Sequence, residues 1–298
     1  FRPVNAYTAP DNSLYILDMY HGIIQHRTYV TSYLRKQILS RGLDKPGSGH
    51  GRIYRLRHKN QDRGPAPGLQ KLSAIELTSY LNHPNGWWRD TAQRLIVERG
   101  NETTRDALEG VLQDGKPLAR LHALWTLQGI HERTGEALSA ALVLGALEDP
   151  VAGVVENALL MAAHRKDVDL RPRLAKLLAH HDPRVRLLTA ALHGKQAGTE
   201  QLATLLVRDA NDPWARRAIL SISRETPGAV LVHLLATREK VVSEVLLEFS
   251  QAVAARGKVE DLARLLDAAS GRRQPEVTVI TLGLARGLAR GPLKSLAA

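Results

Sequence analysis

From Leu72 onward, apolar residues recur at helical spacing and are divided into blocks by a periodic polar signal. Leu174, Leu177 and Leu178 fall on one side of a helix, as do Leu202, Leu205 and Leu206 one block later. The blocks are marked by Asp149-Pro150, Asp182-Pro183 and Asp212-Pro213, with His83-Pro84 and Lys116-Pro117 in matching places. An Asp offers its carboxylate to the free N–H groups of a helix start, and a proline in the first helical position has no N–H to lose. These pairs are therefore expected to cap helices. The prolines lie 33, 33, 33 and 30 residues apart, the period of a two-helix repeat. Three residues after the proline stand Arg120, Arg186 and Arg216, expected to bond to neighbouring turns or carboxylates along the stack.

The markers weaken after Ser223, slip around Arg238–Lys240 and resume near Gln274-Pro275. About seven helix pairs are expected over residues 71–298. The tetratricopeptide pattern of Trp, Gly, Tyr and Phe does not recur, and neither does the ankyrin TPLHxA. The expected fold is mainly α, a short HEAT-like α-solenoid in which each unit depends on its neighbours to bury its apolar face.

The first 60 residues follow another rhythm. Ser13–Tyr20, SLYILDMY, leaves the turn signal Pro10-Asp11-Asn12 as a strand rich in branched and aromatic residues, and Gly51–Arg57, GRIYRLR, reads as another. Between them Tyr29–Arg41 has the pattern of an amphipathic helix. So short a sheet cannot bury two faces, so further strands or the helical part must cover it. Gln61–Gly68, QDRGPAPG, is the seam, which gives three regions: 1–60 as the C-terminal part of a β-propeller with a helical insertion, 61–70 as linker, and 71–298 as repeats. Phe1 opens within a strand pattern with no Met before it, so the natural chain is expected to start earlier.

Composition narrows the chemistry. The chain has 298 residues and no cysteine, which removes disulfides, a thiolate nucleophile and a CxxCH haem attachment. No apolar run of membrane-spanning length occurs. The net charge is +11, but residues 1–63 hold 11 basic against 4 acidic residues, and the remainder holds 30 against 26. The helical part lacks the excess of positive charge that a nucleic-acid-binding solenoid would carry, which speaks against a nucleic-acid partner.

Two long stretches, FRPVNAYTAPDNSLYILDMYHGIIQHRTYVTSYLRKQILSRGLDKP and HPNGWWRDTAQRLIVERG, resemble the large exported PVC-type haem-binding CxxCH proteins of planctomycetes and verrucomicrobia. In that family a glucose/sorbosone-dehydrogenase-like propeller precedes HEAT repeats and a c-type cytochrome domain. The resemblance covers about residues 1–125 with specificity and the later repeats only in kind. It implies an exported, periplasmic or envelope-located redox parent that oxidises a carbohydrate and carries haem c. This portion would be the scaffold between the missing propeller blades and the cytochrome c domain, with no cofactor or metal of its own and no activity alone. The alternative reading is a non-catalytic HEAT module that binds a protein partner on its concave face.

Few residues suggest chemistry. Asp18, His21 and His26 cluster at a strand end, where propellers place ligands, and are the catalytic candidates; the histidine spacing fits no helical metal motif. Trp87 and Trp88 are expected to pack between the sheet region and the first helices, and Trp125 and Trp214 to pack within the stack. His180-His181-Asp182 is explained by the cap at Asp182.

Overall fold

A computed structural model of the chain describes residues 1–20, 27–44, 51–62, 64–135, 138–193, 197–237 and 240–292. It falls into two compact units, Phe1–Leu138 and Ser139–Ala298. The seam at residues 61–70 is a change from strand to helix, whereas the division between units lies further on, inside the helical region.

In the first unit, β1 (Pro3–Thr8), β2 (Leu14–Asp18) and β3 (Arg52–Leu56) form an antiparallel sheet in that order. The register sets Tyr7 opposite Tyr15 and Tyr15 opposite Arg55. The β1–β2 turn closes through Ala9 N–H to the Ser13 carbonyl (2.8 Å) and Asn12 N–H to the Ala9 carbonyl (3.0 Å). Asn12 takes a left-handed φ of 61° there, a conformation its side chain tolerates. The expected insertion helix is shorter than its pattern. A 3-10 turn at Arg27–Tyr29 precedes α1 (Ser32–Ser40), which begins where the Thr31 hydroxyl accepts the Leu34 N–H (3.3 Å).

Two helix pairs follow: α2 (Ala74–Thr78) with α3 (Gly86–Arg99), and α4 (Glu102–Asp114) with α5 (Pro117–Thr134). α2 packs on α4 and α3 on α5, so like helices stack in two layers over a core that includes Leu77, Leu81, Ile96, Leu124 and Leu127. The capping box of α2 joins Ser73 and Glu76, whose carboxylate receives the Ser73 N–H at 2.8 Å.

In the second unit five pairs repeat the scheme: α6 (Ala140–Ala146) with α7 (Ala152–Ala163), α8 (Leu174–Leu178) with α9 (Pro183–His193), α10 (Thr199–Arg208) with α11 (Pro213–Ile222), α12 (Pro227–Ala236) with α13 (Ser243–Arg256), and α14 (Val259–Ser270) with α15 (Gln274–Leu288). One layer runs α8, α10, α12, α14; the other runs α7, α9, α11, α13, α15. Phe249, Leu206, Ile219 and Leu265 are fully enclosed between the layers.

The proline signals start helices at Pro117, Pro183 and Pro213, where Asp182 accepts the Arg184 N–H (2.8 Å) and Asp212 the Trp214 N–H (2.8 Å). At the other two the start moves later. Asp149 accepts the Val151 N–H (2.8 Å), but Val151 is the N-cap and the helix opens at Ala152, so neither Asp149 nor Pro150 holds the expected cap position. After Pro84 the cap is Asn85, whose own side chain accepts the Trp87 N–H (2.8 Å).

Candidate functional site

The polar residues of the first unit converge on the tip of the β1–β2 hairpin. Asn85 is buried; while its oxygen caps α3, its Nδ2 donates to the Ala9 carbonyl (2.8 Å) and to Asn12 Oδ1 (2.7 Å). Trp88 is buried beside it and donates its Nε1–H to the Pro10 carbonyl (2.8 Å). Its ring stacks on His83 (centroids 5.1 Å apart) and Tyr80 (5.7 Å), and Trp87 meets it edge-on at 5.6 Å. From the sheet side Arg55 pairs with Asp11, and the Gln61 amide donates to the Asp11 carbonyl. The Ser13 hydroxyl foremost, with the Ser13 backbone N–H and Arg55, holds the Asp11 carboxyl at about 2.

This cluster is a clamp. Its donors end on the carbonyls of Ala9, Pro10 and Asp11 and on the side chains of Asn12 and Asp11, all in one turn. Replacing Asn85 by Ala removes the α3 cap and leaves the Ala9 carbonyl without this donor. Unfolding of the first unit in urea is expected to become easier by about 2 kcal/mol.

Of the catalytic candidates, His21 and His26 lie outside the described residues. Asp18 is 3% exposed, and its Oδ1 accepts the backbone N–H of Arg2 (2.6 Å) and of Tyr20 (3.0 Å). Tyr20 has a left-handed φ of 52°, strained for a bulky residue, and the bond to Asp18 holds it there. Burial pushes the Asp18 carboxyl up, but the two N–H donors and nearby positive charge, Arg52 included, leave it below its ordinary value. Its Oδ2 is enclosed and has no hydrogen-bond partner among the described residues. Asp18 thus serves the turn. Among the described residues no group of three or more His, Cys, Asp or Glu side chains could hold a metal, and no helix is long and apolar enough to cross a membrane.

The repeat arginines form ladders within each unit. Arg186 donates through Nη1 to the carbonyls of His180 (2.7 Å) and His181 (2.8 Å), and through Nε to Asp209 Oδ2 (2.7 Å) of the next pair. Arg216 repeats this with the Ala210 carbonyl (2.8 Å) and Glu248 (3.3 Å), and Arg120 reaches the Gly115 carbonyl (2.8 Å). Arg89 belongs to the same series, with Nη1 on the carbonyls of His83 (2.7 Å) and Pro84 (2.8 Å) and Nε on His122 (3.3 Å). Counting from the proline hid it. Counting from the N-cap places Arg89, Arg120, Arg186 and Arg216 alike, four residues beyond Asn85, Lys116, Asp182 and Asp212.

A groove of about 330 Å³ lies along α3 in the first unit, walled by Asp90, Gln93, Arg94, Val97 and Glu98, and others lie in the second unit along the layer α8, α10, α12, α14. Three grooves follow one another there. The first, about 310 Å³, lies between α8 and α10 with Leu178, Glu200, Thr204 and Arg208 on its walls. The second, about 270 Å³, lies between α10 and α12 and shares Thr204 and Arg208 while adding Val207, His233 and Thr237. The third, about 390 Å³, reaches α14 and shares His233 while adding Val232, Asp261 and Arg264. Sequence reasoning missed these residues because they carry no motif: they are ordinary helix-surface positions that become neighbours only on stacking.

Trp214 departs from its expected packing. It stands 68% exposed at the start of α11, with the Arg217 guanidinium 5.8 Å from its ring centre, because the second position of a helix on this layer points outward. Trp125 is half-buried in α5.

A family model described as a domain of unknown function, DUF7133, matches residues 1–60, the region of the sheet and α1. No curated protein matches the chain. Among solved structures the chain is similar to a designed armadillo repeat protein, YIII(Dq.V1)4CPAF, in complex with the peptide (KR)4. The identity is 16%, the match covers 72% of this chain and all of the other, and the TM-score is 0.27, a likeness too distant to carry an inference.

Proposed function

We propose that the chain is a scaffold of HEAT-type repeats that binds a polypeptide segment along α8, α10, α12 and α14. The observation that carries this reading is the run of three grooves linked by shared walls at Thr204, Arg208 and His233. Successive grooves on one helix layer offer a chain repeated apolar seats, with hydroxyl, guanidinium and imidazole groups at the rims to fix its direction. The test is a selection of random peptides against the whole chain. Binders are expected whose affinity falls at least about tenfold in Val207→Asp and Thr204→Arg, the loss of an interface hot spot, and is unchanged in Ser221→Arg on the other layer. Binders indifferent to both groove substitutions would remove this reading.

The sheet region supports a second proposal, that residues 1–60 pack against further strands as one blade of a propeller in a larger redox protein. Both sheet faces present apolar side chains to solvent: Leu56 on the face of Leu14 and Ile16, and Ile53, 71% exposed, on the face of Tyr15 and Leu17. The haem c of such a parent finds no attachment within these 298 residues, which contain no cysteine. Exported or envelope location and oxidation of a carbohydrate rest on the family resemblance.

A further inference from the structure

We propose that His122 is a proton-operated latch on the turn that grips the β1–β2 hairpin. The ring lies between α5 and α3 with both nitrogens engaged. Nδ1 is 2.6 Å from Gln93 Oε1, an acceptor, so Nδ1 carries the hydrogen. Nε2 is then a bare lone pair and receives the Arg89 Nε–H at 3.3 Å. The same guanidinium holds the carbonyls of His83 and Pro84, and the next residue, Asn85, holds Ala9 and Asn12 at the hairpin tip. The path from the imidazole to the hairpin is two sets of hydrogen bonds, those of Arg89 and those of Asn85, joined by the peptide link between Pro84 and Asn85.

A proton added at Nε2 breaks that path. Two N–H groups, both on cations, would then face each other, while Asp90 Oδ1 lies 3.9 Å from Nε2 and offers the nearest carboxylate. The imidazolium turns to Asp90 and releases Arg89. The charged groups facing the ring are Arg89 and Asp90, both on α3. Burial first of all holds the imidazole below its ordinary value of 6.5, Asp90 opposes this and Arg89 adds to it. For a histidine depressed on folding, the stabilising contribution is complete above 6.5 and is lost as the pH falls through the lowered value.

The competing titratable group is His83, whose Nδ1 accepts the Asn85 N–H (3.1 Å), and the experiment must separate the two. Amide hydrogen exchange of residues 9–13 and 83–89 in the whole chain, corrected for intrinsic rates, is compared at pH about 7.5 and at a pH below the His122 midpoint found by NMR. Protection is expected to fall about threefold or more at the lower pH in the natural sequence. It should stay constant in His122→Gln, whose amide oxygen remains an acceptor for Arg89. Equal losses in both proteins would assign the effect to His83 and overturn the latch. If His122→Gln does not fold, the His122 titration followed by NMR decides instead. A midpoint below 6.5 that drops further in the exposed variant Asp90→Asn supports the latch; a midpoint at or above the ordinary value, or one indifferent to Asp90, defeats it.

Discussion

Replacing Gly287 by valine is expected to separate α15 from α13 and to lower the stability of the second unit by more than about 3 kcal/mol. Gly283 and Gly287 lie four residues apart on the face of α15 turned to α13, and Gly291, just past its end, continues the spacing. A Cβ at Gly287 would come within 2.6 Å of the Ala254 Cβ and inside contact distance of the Gln251 carbonyl. At Gly283 it would meet the Leu247 carbonyl at 2.7 Å and the Ser250 Cβ at 2.8 Å. These obstacles are largely backbone, which cannot step aside without moving a helix whose Phe249 and Val253 are fully buried. Even Gly287→Ala should destabilise by about 1–3 kcal/mol, although alanine favours helix by roughly 1 kcal/mol. Gly145, exposed in α6 with nothing within 4 Å of its added Cβ, is the control. Gly145→Ala should instead stabilise, by up to about 1 kcal/mol. Urea unfolding of the three variants, followed by circular dichroism, separates close packing from propensity. Similar signs at Gly287 and Gly145 would show that the helices do not approach as described.

Arg186→Met should cost about 3–5 kcal/mol, the penalty for breaking a buried ion pair from one side. The side chains of Arg186 and Asp209 are 7% and 11% exposed, and the guanidinium also satisfies the carbonyls of His180 and His181. Asp209 raises the Arg186 value above its ordinary one through its hydrogen bonds, and burial opposes it. Removing the arginine leaves a carboxylate in a place with little water. The double variant Arg186→Met, Asp209→Leu removes both charges and should recover a large part of the loss, because an apolar pair of similar volume replaces the ionic one at little net cost. Additive losses in the double-mutant cycle would mean that the pair contributes nothing to the stack. Since stability in repeats is a sum of unit and interface contributions, the loss should appear first as fraying of α8–α11 and only then as a lower global midpoint.

The recurring prolines already locate the helices that begin at Pro117, Pro183 and Pro213, because a proline and its capping acceptor act within one turn of backbone. The mainly helical architecture follows from the same local signals. At Pro84 and Pro150 the helix starts were displaced by contacts the local pattern does not contain, most clearly by Asn85, which caps a helix and holds a distant turn with one side chain. The exposure of Trp214 has the same origin: helical position tells which residues share a face, and only the neighbouring helices decide whether that face is covered.

By itself the sequence determined that this protein is a series of short helix pairs behind a small sheet, because helix caps, proline geometry and apolar period are properties of neighbouring residues. The tertiary structure alone decided which of those residues matter together. Arg186 meets Asp209 across 23 positions, Asn85 meets Ala9 across 76, and the grooves of α8, α10, α12 and α14 exist only between helices. Stacking brings far-separated segments into contact, and the physical reason is burial: no helix pair can hide its own apolar face, so each packs on neighbouring pairs as well as within itself.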